Sequence, residues 1–201
     1  MIDVAKEDAL TIITIDRPDK ANSLTTKMLH DILEAVSDLG DTKVLVLTGK
    51  GRVFSAGADL DEARTGLATH PVWEDLSGAI SSLPILTIAA LNGTLAGGAF
   101  GMALACDIRL AVPSARFFYP VMKLGFLPQP SDPARLRTLV GPSGAKRLLM
   151  AGEKIEADEA LRIGLVDQIV GQEQLMPTAV ELSEPALSAD LKHIAGIKRL
   201  I

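Results

Sequence analysis

Two stretches of this chain repeat one construction, and that repetition limits the folds open to it. "VLVLTGKGRVFSAGADL" (residues 44–60) and "ILTIAALNGTLAGGAFGM" (residues 85–102) each run from an apolar strand, through glycine turns, into a helix start. A strand without polar alternation belongs inside a sheet covered on both faces. At a helix start the first amides have no partner within the helix, so they can point at negative charge. Glycine lets a ligand approach the backbone closely. If both turns face one cleft, two amides can grip a single oxygen. One such donor is worth about 3–4 kcal/mol of barrier when a carbonyl becomes an anion.

The rest of the chain alternates in the same manner. "ALTIITIDRP" reads as a strand ended by Asp16, Arg17 and Pro18. Met28, Leu29, Ile32, Leu33, Val36 and Leu39 follow the spacing of an amphipathic helix over residues 25–39. Asp59, Asp61 and Glu62 fall in the first turn of another, where the helix dipole favours them. Further helices are expected over 71–83, 97–105, 144–150, 157–163 and 184–201. "DIRLAV", "ARFFY" and "GLVDQIV" read as strands, and "PQPSDPARL" as a loop entering a helix. Asp132 precedes Pro133 there, a pattern that reads as a helix cap. Strands alternating with helices define an α/β fold.

Composition removes several function classes. The net charge is −5 with no basic run, which argues against nucleic acid as a partner. Aromatic residues are only 3%, so the core must be aliphatic. The one cysteine, Cys106, excludes an internal disulfide, fits a reducing cytoplasm and reads as a buried filler. His30, His70 and His193 show no metal-ligand spacing, and no apolar run is long enough to span a membrane. "GTLAGGAFG" departs from the dinucleotide fingerprint, no Gly-Lys-Ser/Thr forms a phosphate loop, and Ser55 lacks the frame of a serine nucleophile.

"FSAGADL", "AALNGTLAGGAFGMALACDIRLA" and "AGEKIEADEALRIGLVDQIV" together resemble the crotonase superfamily, the enoyl-CoA hydratase/isomerase family, over roughly residues 10 to 200. The resemblance implies a crotonase-like ββα spiral, the ClpP/crotonase fold. It implies acyl-CoA thioester substrates, with coenzyme A as part of the substrate rather than a separate cofactor, and a homotrimer or hexamer. The backbone N–H groups of Ala58 and Gly98 match the family's oxyanion hole. Lys20, Ala21 and Asn22 in "RPDKANSL" match its CoA contacts. Asp59 and Asp107 also match the pattern and are expected to cap helices. Residues 1–180 correspond to the family core, and 181–201 to a short C-terminal helix where the family carries a longer helical region.

The departures from the family decide the chemistry expected. Hydratases place a glutamate a few residues after the Gly-Gly pair, and that position is Gly101. Their second glutamate follows a proline, and here Pro120 is followed by Val121. Hydration needs a base for water and a proton donor to carbon, and neither residue supplies one. Isomerase or hydrolase chemistry with a relocated base is therefore expected over hydration; a non-catalytic CoA-binding or assembly protein is the alternative. Candidates for that base are Asp132, which also reads as a helix cap, and Tyr119, which also reads as a packing residue. Gln129 could orient a water. Glu62, His70 and Glu74 lie near the segment that covers the family's acyl pocket and read mainly as surface charges. Lys198 and Arg199 read as a solvated helical face. A Clp-like peptidase would need a Ser-His-Asp set, for which the histidines are poorly placed.

Overall fold

The apolar runs become the inner strands of one sheet, and each is followed by a short strand that leaves for a second sheet. The computed structural model describes residues 1–201. It opens with a hairpin of β1 (Ile2–Glu7) and β2 (Leu10–Ile15), then α1 (Thr26–Ser37). The next segment repeats strand, strand, helix three times. The first repeat is β3 (Val44–Gly49), β4 (Val53–Ser55), α2 (Leu60–Arg64) and α3 (Val72–Ser81). The second is β5 (Leu86–Leu91), β6 (Thr94–Ala96) and α4 (Phe100–Ala105). The third is β7 (Ile108–Ala111), β8 (Arg116–Phe118), α5 (Val121–Leu124) and α6 (Asp132–Leu149). The chain finishes with β9 (Ile155–Glu156), α7 (Ala157–Arg162), β10 (Gln168–Ile169), α8 (Leu175–Ser188) and α9 (Leu191–Lys198).

One sheet has the order β1-β2-β3-β5-β7-β10 and the other β4-β6-β8-β9. Only β1 and β9 run antiparallel to their neighbours. Each repeat contributes one strand to each sheet, so the chain climbs as a spiral. Val44 to Leu47 and Ile88 to Leu91 are buried without alternation, as expected of strands covered on both faces. The core is aliphatic, with Phe54, Phe100 and Phe117 among its largest fully buried side chains. Every residue of α4 is buried, and its Gly101, Ala103 and Ala105 keep it slim enough to sit inside. No helix is long and apolar enough to cross a membrane.

Several sequence expectations are corrected. The N-terminal strand is one arm of a hairpin, turned at Asp8 with φ 52°. The helix expected over 144–150 is the second half of α6, which kinks at Gly141 (φ 70°, ψ 171°) before Pro142. "GLVDQIV" yields only two strand residues. The helix expected over 184–201 is two helices: α8 starts at Leu175, runs unbroken across residues 180 and 181, and ends before Asp190 caps α9. Asp107 caps no helix. Its Oδ2 accepts from Thr87 N–H, Thr87 Oγ1 and Lys198 Nζ, tying β5 to α9. Lys198 also donates to Ile85 O at 2.8 Å, so it is a tether rather than a solvated charge.

Candidate active site

Strand register assembles the site. In the second sheet Ser55 of β4 pairs with Leu95 of β6, and Ala96 of β6 pairs with Phe118 of β8. The residues following those three strands are therefore neighbours: Ala56–Ala58, Gly97–Gly98 and Tyr119–Val121. All of them except the buried Gly57 line one cleft of about 460 Å³. Ligand sites in α/β folds favour this end of parallel strands.

The two glycine turns touch. Gly57 has φ 89°, and a Cβ there would stand 2.9 Å from Ala96 O and 3.4 Å from Gly98 N. Gly97 has φ 57° and starts a 3-10 turn over Gly97–Ala99, which leads directly into α4. Gly98 N–H precedes the first bond within that turn and has no intrahelical acceptor. Across the gap, Leu24 N–H donates to Gly57 O at 2.8 Å, and Asp59 N–H donates to Leu24 O at 2.8 Å. The ladder skips Ala58, whose N–H is left without a partner. Ala58 and Gly98, the two amides expected to grip an anion, thus share one half-buried corner of the cleft.

Behind that corner lies a polar cluster. Gln129 Nε2 donates to Gly98 O at 2.9 Å, and the same amide lies against Gly101: a Cβ there would meet Gln129 Oε1 at 2.6 Å and Asp132 Oδ1 at 3.3 Å. Tyr119 donates its hydroxyl to Asp132 Oδ2 at 2.8 Å, and its ring stacks on Phe100 with centroids 5.2 Å apart. Asp132 is fully buried. The capping expectation for it is therefore corrected: Asp132 is the first residue of α6, and its side chain turns inward to Tyr119 instead of to helix amides. Burial pushes its carboxyl up to about 7, with Glu74 adding to the rise and the Tyr119 hydrogen bond and Arg135 opposing it. Burial and the Asp132 charge also push the Tyr119 hydroxyl well above its ordinary range. Gln129 Oε1 and Asp132 Oδ1 receive no hydrogen bond from any protein group.

The rest of the cleft is apolar. Leu60, Ala63, Ala68, Trp73, Val121, Leu124, Phe126 and Leu127 line it, with Arg64 at the rim. Trp73 is held by donating Nε1–H to Leu67 O at 2.8 Å, and its ring covers Gly98. The other acids and bases near the cleft are engaged elsewhere. Glu62 accepts from Thr26 N–H and Oγ1, Glu74 accepts from Ser131 N–H and Oγ, and His70 Nδ1 accepts from Val72 N–H. Asp59 caps α2 as expected, accepting from Asp61 and Glu62 N–H. Arg17 Nη1 donates to it at 2.7 Å and holds it below the usual carboxylate range. Cys106 is the expected buried filler, its thiol pushed up to about 12 by burial.

The loop "DKANS" wraps around the first glycine turn. Ala21 (φ 51°) and Asn22 (φ 52°) are both left-handed, which is uncommon away from glycine. Asn22 is fully buried, and its side chain is spent on the fold: Oδ1 accepts from Arg17 N–H, and Nδ2 donates to Lys50 O and Val53 O. Ala21 O accepts from Ala56 N–H at 3.0 Å, and Asn22 O accepts from Ser55 Oγ at 2.8 Å. Lys20 is exposed and forms no ion pair. Asn92 escaped the sequence reading. Its Oδ1 accepts from Gly49 N–H and its Nδ2 donates to Gly51 O and Val53 O, so it braces the same turn from the second repeat. The "NG" after β5 was its only signal, and that signal reads as an ordinary turn.

A two-sheet ββα spiral carrying paired glycine turns over an apolar cleft is the architecture of the crotonase fold. The family model for enoyl-CoA hydratase/isomerase matches residues 5–201. The short-chain-enoyl-CoA hydratase of Clostridium acetobutylicum is 37% identical over 196 residues, covering 91% of this chain and 74% of that protein. The enoyl-CoA hydratase structure from Bacillus anthracis superposes with a TM-score of 0.90 at 32% identity, covering 98% of this chain and 81% of that one. Pseudomonas aeruginosa DspI superposes with a TM-score of 0.90 at 34% identity, covering 99% and 85%. The chain belongs to the enoyl-CoA hydratase/isomerase family, whose members process acyl-CoA thioesters.

Proposed function

We propose that this chain acts on an acyl-CoA thioester by stabilising an oxygen anion at Ala58 and Gly98, with Asp132 as its acid/base group and no hydratase activity. The observation that carries the reading is the contact between two glycine turns, each presenting an unpaired amide to one apolar cleft. Such donors act on the anion that develops at a thioester carbonyl, whether as an enolate or as a tetrahedral intermediate. The apolar lining suits an acyl chain. Lys20, exposed and without an ion pair, is the cation proposed for the CoA phosphates, with the left-handed Ala21 backbone beside it. The Asn22 side chain has no capacity left for a ligand and shapes the loop instead.

Against hydration stands the supply of protons. Gly101 and Val121, where the family resemblance expects two glutamates, carry no ionisable group, and Asp132 is the one fully buried carboxylate beside the hole. A single base can move a proton or activate a water, which fits isomerisation or hydrolysis. The test is mass spectrometry of crotonyl-, trans-3-hexenoyl-, butyryl- and benzoyl-CoA incubated with the protein in heavy water. Deuterium on carbon, a migrated double bond or free CoA is expected, and each should vanish in Gly98→Pro, which lacks the amide hydrogen. Rapid formation of 3-hydroxybutyryl-CoA from crotonyl-CoA, or full turnover by folded Gly98→Pro, would overturn the reading.

A further inference from the structure

The cleft beside the two amides is larger and more open than a short acyl group needs. Its volume is about 460 Å³, whereas an apolar cavity of about 150 Å³ takes a whole benzene molecule. A butyryl or crotonyl group would leave most of the cleft unfilled. Three large apolar side chains on its walls are exposed, Leu124 by 58%, Leu60 by 75% and Leu127 by 88%. At the other extreme Trp73 is buried, and its ring covers Gly98. Ala63 and Ala68, half-buried, fall between them. The gradient marks out a trough that starts at the Gly98 amide and ends at the surface.

Exposed leucines gathered at one groove mark a surface that something covers. Continuity decides what covers this one. The same walls carry Ala58 and Gly98, so a chain attached to the carbonyl held there runs out between the leucines. No residue of the loop over 18–24 lines the cleft, so the CoA end assigned to Lys20 lies outside it and the trough is left to the acyl end. The walls also limit what that chain can carry. Trp73 donates to Leu67 O, Tyr119 to Asp132 and Gln129 to Gly98 O, so their donors are turned into the protein. Arg64, at the rim, pairs with Asp61. A hydroxyl or carboxylate on the acyl chain would lose water there and gain no partner, which is costly. A flat ring would fill one benzene-sized part and stop short of Leu60 and Leu127.

We infer that the cleft selects straight, unsubstituted acyl chains of about eight to twelve carbons, with Leu60 and Leu127 gripping the distal half and Ala63 and Ala68 setting the width. The inference rests on the acyl-CoA reading above and names the acyl class for it. The length follows from volume. At six carbons per 150 Å³, a closed cleft of this size would take about eighteen carbons. The thioester itself takes part of that space, and the open side takes another part. Width follows from the two alanines, since a larger side chain at either one would project into the trough. Selection comes from burial. Each methylene taken from water strengthens binding by up to about fourfold, and by about half of that effect where one side stays open. A short chain forgoes these gains and leaves Leu60 and Leu127 in water.

Calorimetry tests this whatever the reaction is. The panel is free CoA and butyryl-, hexanoyl-, octanoyl-, decanoyl- and dodecanoyl-CoA, with benzoyl- and 3-hydroxydecanoyl-CoA for comparison, all below their micelle concentrations. Kd is expected to fall about two- to fourfold for each methylene, so that decanoyl-CoA binds about sixtyfold or more tighter than butyryl-CoA. Leu60→Ser and Leu127→Ser should each lower the decanoyl-to-butyryl affinity ratio by about fivefold or more. Ala68→Phe should bring that ratio close to one by blocking the trough. Circular dichroism checks its fold, and the two serine variants, at exposed positions, carry the test if it misfolds. An affinity that levels off at butyryl-CoA would overturn the inference and leave the acyl-CoA reading standing. So would benzoyl- or 3-hydroxydecanoyl-CoA binding as tightly as decanoyl-CoA, or a ratio unmoved in both serine variants. A panel in which no thioester binds would sink the acyl-CoA reading, and this inference with it.

Discussion

Replacing Asp132 by asparagine should make the protein more stable at alkaline pH while removing its activity. The buried carboxyl titrates at about 7 when folded, against 3.8 for an ordinary aspartate. Between those values the folded state holds a proton that the unfolded state has released, so stability falls as pH rises through the interval. In an unfolding series from about pH 5.5 to 8.5, the unfolded carboxyl is ionised throughout. The folded one loses its proton near 7, which costs about 1.4 kcal/mol per pH unit up to that point, or about 2 kcal/mol over the series. The introduced carboxamide cannot titrate. Its oxygen can accept the Tyr119 hydroxyl, and its NH2 faces the bare Gln129 Oε1. The advantage of the variant should therefore grow by about 2 kcal/mol from acid to alkaline pH, or about 4–8 °C in Tm for a domain of this size. Urea unfolding of both proteins at each pH gives the double difference, in which the histidines and every other titrating group cancel. Parallel stability curves would show that Asp132 ionises as easily folded as unfolded, and would refute the argument from burial.

Tyr119→Phe removes the hydrogen bond that opposes the rise in the Asp132 pKa, so the acid limb of the pH–rate profile should move to higher pH; a limb that stays in place would count against the contact. Gly57→Ala should cost about 1–2 kcal/mol for its left-handed backbone. It should also lower kcat by about a hundredfold, because the new Cβ would stand 3.4 Å from Gly98 N; thermal melts and steady-state kinetics separate the two effects. Asn92→Ala leaves Gly49 N–H and Gly51 O without their partner. Urea unfolding should show a loss of about 1–3 kcal/mol, with activity falling further as the first glycine turn loosens.

The strands that build the spiral were legible because burial on both faces leaves continuous apolar runs, as in Val44–Leu47 and Ile88–Leu91. The paired turns were legible because glycine is the residue that most readily takes the left-handed backbone found at Gly57 and Gly97. Very short elements were not: β6 and β9 have three and two residues, too few for a period to emerge, and β10 is two residues inside a run read as a longer strand. The break between α8 and α9 was missed because apolar residues continue on both sides of it. At the site, sequence found Asp132, Tyr119 and Gln129 but misjudged the aspartate. Asp-Pro at a helix start is a strong local signal for a cap, whereas the partner that turns Asp132 inward lies 13 residues away on a different strand end. At Asn22 the resemblance pointed to a ligand loop, and the structure shows its side chain spent on holding that loop to the fold.

Gly101 and Gln129 also constrain how this protein can change. The Gln129 amide rests directly on the Gly101 backbone, where even a methyl group would approach Oε1 to 2.6 Å. The two positions compete for one volume, so their substitutions cannot be independent. A carboxylate grafted onto position 101 requires the Gln129 amide to swing away and give up its hydrogen bond to Gly98 O, or to be shortened. The effect of a substitution at 101 therefore depends on what stands at 129, and a library that varies both positions together samples combinations that single changes do not.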